Sequence, residues 1–166
     1  MRNLLPIAVL TVAMGFTSGL AMAEQCNQNS VDLRGDWGRA HFSVEIADDA
    51  AGRAQGLMYR KKMASSAGML FIYDAPHRAS FWMRNTLIPL DMIFLDKTGT
   101  ITNIKHNAQP LDETPIDGGD GVLMILEING GMAKALGIRI GSQMRHPAID
   151  AAVAVWSCAN SDAERK

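Results

Sequence analysis

Hydrophobic positions along the chain occur in short runs separated by turn-forming residues, and this pattern predicts a β-rich protein. Some runs alternate apolar and polar residues, as in a strand with one buried face. Others are apolar at every position, as in a central strand. The predicted strands span 41–46, 69–73, 79–84, 92–95, 100–105, 122–128 and, at an edge, 151–156. Proline, aspartate and glycine mark the turns between them.

Two short helices interrupt this β pattern. Asp48 or Asp49 can cap the first, which ends at Gly56, and the second spans 132–136 before Gly137. Both helices are too short to serve as crossovers between parallel strands. The sequence therefore predicts a mainly β fold, a mostly antiparallel sandwich or partial barrel of jelly-roll-like form with two short helices.

The amino-terminal residues predict export. Arg2 precedes a mostly apolar, uncharged segment over 4–20, and an Ala-Met-Ala sequence that ends at residue 23 is typical of a signal-peptidase site. We therefore expect a signal peptide over 1–23 and a periplasmic or secreted protein, with an uncleaved anchor as the alternative. After cleavage we expect no membrane span, because no second segment is apolar and long enough.

Beyond the leader, we expect a polar tether over 24–39, a single β-rich domain over 40–158 and a polar tail over 159–166. A chain of 166 residues suffices for one domain with a substantial core. Within the domain, residues 106–121 are rich in proline, aspartate and glycine and predict a long loop. The net charge of −1 argues against nucleic acid as a partner, because phosphate binding needs a basic surface.

The two cysteines, Cys26 and Cys158, both lie in the part expected to be exported. In an oxidising compartment two cysteines usually pair, so we predict a disulfide that closes most of the mature chain into one loop. A reactive thiol pair is the alternative, but the chain has no Cys-x-x-Cys spacing. The predicted bond requires the two ends of the domain to be neighbours.

Five polar residues lie among large hydrophobic ones and are candidate ligand-binding residues: Arg84, Asn85, Thr86, Asp91 and Glu127. Buried polar groups need partners, so these residues either stabilise the fold or form a site. In the structural interpretation, Asp91 accepts hydrogen bonds from turn amides and Arg84 bridges Glu127. In the functional interpretation, they form a pocket in which Arg84 holds an anionic group of a small ligand. A third interpretation pairs Asp91 with Glu127 for acid–base hydrolysis.

Two further patterns have both a structural and a functional interpretation. Methionine and histidine could bind copper in an oxidising compartment, but no two histidines share a short motif, and core packing is the better account of the methionines. Phe81 and Trp82 could form an exposed aromatic platform, although a place in the sheet core is the favoured interpretation. The sequence contains no nucleophile motif and no phosphate-binding glycine loop, and we expect no metal and no cofactor.

Several short motifs follow one another between Phe42 and Met144. They are Arg53-x-x-Gly56-Leu57-Met58-x-Arg60, Gly68-Met69-Leu70-Phe71, Phe81-Trp82-Met83-Arg84-Asn85-Thr86, Pro89-Leu90-Asp91-x-x-Phe94-Leu95-Asp96, Leu126-Glu127 and Gly137-x-x-x-Gly141. In this order the motifs resemble the domain of unknown function 192 family. The resemblance implies a compact, mainly β fold similar to a jelly-roll-like sandwich, in a small and often exported protein. It implies no reaction.

The sequence thus predicts an exported, non-catalytic domain that binds a small polar or anionic ligand or an envelope protein. The five candidate residues would form the site, with residues 106–121 as its rim. An envelope hydrolase that uses Asp91 and Glu127 is one alternative. A pure protein-interaction module, in which the long loop contacts the partner, is another.

Overall fold

Seven strands and two short helices make up residues 26–158, the part of the chain that the computed structural model describes. The strands are β1 (Ser30–Gly35), β2 (Gly38–Ala47), β3 (Ala67–Phe81), β4 (Leu90–Leu95), β5 (Ile101–Ala108), β6 (Ile116–Asn129) and β7 (Gln143–Arg145). The helices are α1 (Ala50–Gln55) and α2 (Met132–Leu136). Neither of these helices has the length and apolarity needed to cross a membrane. The expected signal peptide over 1–23 and tail over 159–166 lie outside the described residues.

The strands form one curled sheet in the order β5-β4-β6-β3-β2-β1-β7. The two edges of the sheet meet where Thr100, just before β5, bridges Gln143 of β7. Next to this bridge, the amide of Ile101 donates to the carbonyl of Ser142 at 2.9 Å. The sheet therefore curls into a partial barrel. This confirms the predicted mainly β fold with two short helices, and the partial barrel is the form that it takes.

Neighbouring strands are antiparallel except β2 and β3, which run parallel. The expectation that no crossover joins parallel strands was therefore wrong for this pair. The connection over 48–66 is long enough for a crossover although α1 within it is short. α1 begins where the Asp49 side chain accepts a hydrogen bond from the Gly52 amide at 2.6 Å, and it ends at Gly56, whose φ of 50° favours glycine.

Apolar side chains cover both faces of the sheet. One buried cluster contains residues from all seven strands and fills the interior of the curl. The other lies on the outer face of β3, β4 and β6, where residues from the connecting segments, including Leu57, Met83 and Ile88, cover it. Because of this double burial, β4 is buried at every position. Five methionines belong to these clusters, as core packing predicts: Met69, Met83, Met92, Met124 and Met144.

The expected polar tether over 24–39 is wrong. Residues Ser30–Gly35 form β1, which pairs with β2 on one side and β7 on the other. Val31 and Leu33 are 1% and 0% exposed and pack into the interior from alternate positions of an otherwise polar strand. Two apolar residues are too few for their alternation to be distinguished from a loop in the sequence. The domain therefore begins before residue 40.

Three other boundaries differ from the prediction. β3 continues through the expected break after residue 73, with irregular pairing to β6 between Ile72 and Ala79 that accommodates the turn-forming residues. Most of the expected loop over 106–121 belongs to β5 and β6, which leaves a connection over 109–115. Residues 151–156, expected as an edge strand, form turns and bends instead.

Cys26 and Cys158 form the predicted disulfide, with Cα atoms 5.7 Å apart. The bond joins residues separated by 132 positions and places the start of the domain next to its end. Nearby in sequence, Trp156 is buried against three guanidinium groups, of which that of Arg39 is the most distant, 5.5 Å from the ring centroid. The Cζ atoms of Arg34 and Arg145 lie 4.5 and 4.7 Å from the same centroid. These contacts fix the last described residues onto β1 and β7.

We expect the double variant Cys26→Ser/Cys158→Ser to keep its β-rich fold and to lose stability. For a loop of this length the chain-entropy model gives a loss of about 5 kcal/mol. Urea unfolding followed by circular dichroism measures the loss, and wild type in reductant should shift to a similar midpoint. A midpoint that reductant leaves unchanged, or labelling of both thiols in the native protein, would show that the bond is absent.

Candidate functional site

Asp91 is engaged by the fold. It lies in β4, is 0% exposed, and accepts hydrogen bonds from three backbone amides. These amides belong to Asn107 at 2.7 Å, Gly131 at 2.9 Å and Ala133 at 2.7 Å. Because Gly131 and Ala133 are at the start of α2, Asp91 caps that helix from a distant strand. These are the contacts that the structural interpretation expected of Asp91.

The pairing of β4 with β6 places the second carboxylate, Glu127, on the opposite face of the sheet. Glu127 is directly opposite Met92, whereas Asp91 is opposite Ile128. Residues paired across an antiparallel sheet point to the same face, and successive residues along a strand point to opposite faces. Asp91 therefore faces the interior and Glu127 the outer face. The alternative of a hydrolase with Asp91 and Glu127 as an acid–base pair is wrong, because a sheet separates the two side chains.

Glu127 is a buried residue of β6 on the outer face of the sheet. It is 4% exposed, and its cross-strand neighbours are the apolar Met69 and Met92. No group within residues 26–158 forms a hydrogen bond or ion pair with its carboxyl group. Burial raises the pKa of Glu127 to about 8, because the ionised form loses hydration that nothing replaces. The expected bridge from Arg84 is not formed.

Glu127 lines a small open pocket of about 50 Å³ on the outer face of the sheet. The walls come from α1 and the residues after it, from β3, and from the segment that follows β3. They include Arg53, Leu57, Phe71, Phe81, Trp82 and Thr86. The rings of Phe71 and Phe81 pack edge to face, with centroids 5.5 Å apart. The pocket thus combines aromatic side chains with polar ones, and the Glu127 carboxyl group is among the polar groups.

Arg53 is the cationic residue of the pocket. Its Nη1 atom donates to the backbone carbonyls of Asp48 and Ile72, the latter at 2.8 Å, and its Cζ atom lies 4.8 Å from the Tyr73 ring centroid. These contacts hold the half-buried side chain in the last turn of α1. Burial raises the pKa of Tyr73, Arg53 opposes the shift, and Glu127 adds to it. Tyr73 is therefore electrostatically coupled to both charged residues of the pocket.

Two of the five candidate residues, Thr86 and Glu127, line the pocket, and the other three do not. Arg84 is exposed, and its Cζ atom lies 5.8 Å from the Trp82 ring centroid. Asn85 places its amide nitrogen 3.9 Å from the sulfur of Met58. Asp91 is on the other face of the sheet. Sequence reasoning placed Arg84 wrongly because β3 ends at Phe81, so strand alternation does not extend to residue 84.

Four large apolar side chains are exposed beside the pocket, and we call them the apolar rim. They are Tyr59, Trp82, Leu87 and Leu111, which are 65%, 50%, 41% and 59% exposed. The amides of Tyr59 and Leu111 donate to the carbonyls of Asn85 and Thr86 at 2.8 and 3.1 Å. Both residues therefore border the segment that contains Trp82 and Leu87. The favoured place of Trp82 in the sheet core was wrong, whereas Phe81 does pack against the outer core.

The backbone beside the pocket is strained. Tyr59, Asn85 and Leu111 have φ angles of 64°, 56° and 64°. The left-handed conformation costs a residue with a bulky side chain roughly 1–2 kcal/mol. Asparagine tolerates it better, but tyrosine and leucine do not. Strained residues of this kind concentrate at binding sites and active sites, and here two of them expose their side chains on the apolar rim.

The family model for domain of unknown function 192, described as "Uncharacterized ACR", matches residues 31–146. The chain belongs to this family. It is similar to a solved protein of unknown function from Novosphingobium aromaticivorans DSM 12444, with 44% identity and a TM-score of 0.68. That match covers 69% of this chain and 82% of the other chain.

A second similar structure is a Sinorhizobium meliloti 1021 protein described as a candidate transcription regulator. The identity is 40%, the TM-score is 0.69, and the match covers 72% of this chain and 94% of the other chain. Among curated proteins, none matches the chain.

The motifs by which this chain resembles the domain of unknown function 192 family converge on the pocket. The Arg53–Met58 motif supplies one wall and the Phe81–Thr86 motif another, and Glu127 lies between them. Arg60 of the first motif forms an ion pair with Glu45 of β2 and thereby holds the segment after α1. Arg53 was absent from the sequence candidates, although its place at the start of a family motif was a signal that could have identified it.

We expect Asp91→Ala to destabilise this family member by about 3 kcal/mol or more. Three buried amides lose a charged acceptor, and hydrogen bonds to charged groups contribute about 1.5–3 kcal/mol each. Urea unfolding measures the change, with Asp74→Ala at an exposed position of β3 as the control. A loss below about 1 kcal/mol would contradict the helix-capping role.

We expect Glu127→Gln to stabilise the protein increasingly as pH rises from about 5 to about 8. The folded state keeps the Glu127 proton up to its raised pKa of about 8, whereas the unfolded state releases it near the ordinary value of 4.5. Wild type therefore loses stability as pH rises through this window, by about 3–4 kcal/mol, and glutamine removes that loss.

Urea unfolding at several pH values measures the effect of Glu127→Gln. Glu113→Gln, at an exposed position in the 109–115 connection, is the control for the change in net charge. If the difference between Glu127→Gln and wild type stayed constant with pH, the carboxyl group would not be desolvated as described.

Proposed function

We propose that this protein is an exported, non-catalytic binding domain whose site is the Glu127 pocket together with the apolar rim. One observation supports binding most directly. The carboxyl group of Glu127 lies in an open pocket and has no partner within residues 26–158. A ligand would supply the hydrogen bond or charge that this carboxyl group lacks. The strained, exposed Tyr59 and Leu111 are consistent with a surface retained for contact rather than for stability.

Two features support export. The leader pattern over 1–23 is typical of a signal peptide, and the Cys26–Cys158 disulfide is of a kind that persists in oxidising compartments. A periplasmic or secreted location would make a small solute or another envelope protein the available partner.

Binding is favoured over catalysis because no group within residues 26–158 forms a hydrogen bond with the Glu127 carboxyl group through which a proton could be shared. Two ionisable groups are linked electrostatically to Glu127. Tyr73 interacts with it directly, and Arg53 interacts with Tyr73. Burial moves the Tyr73 pKa upward, away from neutral pH, and arginine does not release its proton in proteins. A general acid–base reaction needs a partner that titrates near the working pH.

The description of the Sinorhizobium protein raises nucleic-acid binding as another role. A net charge of −1 argues against nucleic-acid binding by this chain, because the phosphate backbone requires a basic surface.

The proposed site also differs from the pocket expected from the sequence, since Arg84 lies outside the proposed site and Arg53 lies within it.

A thermal-shift panel of cationic, anionic and neutral small compounds tests the proposed site. A compound that binds the pocket raises the melting temperature of wild type, because ligand binding stabilises the folded state by about 2.7 kcal/mol at one hundred times Kd. We expect the shift to disappear in Trp82→Ala, which removes a half-exposed wall of the pocket without touching the core.

Arg84→Ala is the matched control for this panel, because Arg84 is exposed next to Trp82 but does not line the pocket. It should respond to the same compounds as wild type. If every stabilising compound acted equally on wild type and Trp82→Ala, the binding site would lie elsewhere and the proposal would fail.

A further inference from the structure

We propose that the pocket receives the ammonium or guanidinium group of a basic side chain, presented by a polypeptide whose flanking apolar residues pack on the apolar rim. The inference rests on the proposed function and names the class of partner. It follows from four properties of the site: the charge of its polar group, the aromatic walls, the volume and the surrounding surface.

The first property is charge. Glu127 is the acidic residue of the pocket, and its carboxyl group has no counter-ion within residues 26–158. Its neighbours across the sheet, Met69 and Met92, provide neither a donor nor a cation. A cationic side chain would give the carboxylate a charge-assisted hydrogen bond, which is stronger than one between neutral groups.

The second property is the aromatic side chains in the walls of the pocket. Phe71, Phe81 and Trp82 line the pocket. Aromatic faces attract ammonium and guanidinium groups, and their apolar surface suits the methylene stem of a lysine or arginine side chain. An anionic ligand would gain nothing from these rings.

The third property is volume. About 50 Å³ has room for a few waters or for the tip of a side chain, whereas pockets for drug-sized molecules measure about 300–1,000 Å³. The rest of the ligand must therefore lie outside the pocket.

The fourth property is the surrounding surface. The apolar rim is the surface that the rest of the ligand would meet, and exposed leucine, tyrosine and tryptophan side chains are typical of a protein-binding surface.

Arg53 does not prevent a cation from entering. Its Nη1 atom is already bonded to two backbone carbonyls and its guanidinium lies against the Tyr73 ring, so its charge is partly compensated by these groups. The ionised Glu127 carboxyl group has no such compensation. Arg84, next to the pocket residue Trp82 in the chain, lies outside the pocket over the Trp82 ring.

Selection from a random heptapeptide library displayed on phage tests the inference, with the full exported chain as bait. We expect wild type to enrich peptides that have lysine or arginine between large apolar residues, and Glu127→Gln to lose that enrichment. In the best selected peptide, acetylated at its amino terminus, replacing the basic residue with norleucine should weaken binding to wild type about tenfold, as loss of a desolvated charge pair does.

The pH dependence provides a second measurement on the same peptide. Binding of a cation favours ionised Glu127, so affinity for wild type should rise from about pH 6 to about pH 8 and stay flat in Glu127→Gln. Burial raises the pKa of Tyr73, which faces the site from β3, away from this window. Arginine side chains such as Arg53 are not deprotonated in proteins. His77, whose ring stacks on Tyr73, is present in both wild type and Glu127→Gln, so their comparison isolates the effect of Glu127. Circular dichroism confirms that each variant is folded.

Three results would overturn the inference. Enriched peptides with acidic residues would show that the pocket takes an anion, and tight binding of butylammonium alone would show that the rim plays no part. Both would leave the proposed binding function intact. Selection of the same peptides by wild type and Glu127→Gln would exclude the pocket as their site. The proposed function itself fails only if the small-compound panel is also insensitive to Trp82→Ala.

Discussion

The antiparallel pairing of β4 with β6 determines what each buried carboxylate of this protein can do. Because Asp91 and Glu127 differ by one position in register, the sheet points one side chain inward and the other outward. The inward carboxylate meets three backbone amides and becomes part of the fold. The outward carboxylate lies between the apolar Met69 and Met92 and faces a small pocket. The same chemical group is therefore structural at one position and available at the other.

The energetic contrast between the two residues is the argument for a binding site. A buried carboxylate costs several kcal/mol unless donors surround it, and Asp91 has such donors. Glu127 has none within residues 26–158, and its pKa of about 8 is the consequence. A protein that needed only stability would do better with glutamine or an apolar residue at this position. The strained backbones of Tyr59 and Leu111 beside the same pocket add a second cost without a structural benefit.

Much of the fold could be predicted from the sequence, because apolar runs, helix caps and the cysteine pair are local or pairwise signals. The same reasoning identified Asp91 and Glu127, since acids within apolar strands must be buried. It missed β1, whose two apolar residues give too weak a pattern, and it missed the faces of the carboxylates, which depend on pairing between distant strands. Arg84 and Trp82 were misplaced because β3 ends just before them. Arg53 reaches the pocket only through the packing of α1.

The carboxyl pKa of Glu127 tests the central claim most directly. Nuclear magnetic resonance of protein labelled with ¹³C at the glutamate side chain can follow the Cδ chemical shift of Glu127 across pH, with Glu127→Gln to assign the signal. The account predicts a midpoint of about 8, because the buried group has no partner in the described part of the chain. A midpoint near the ordinary value of 4.5 would show that the carboxylate is hydrated or paired, and the proposed pocket would lose its basis.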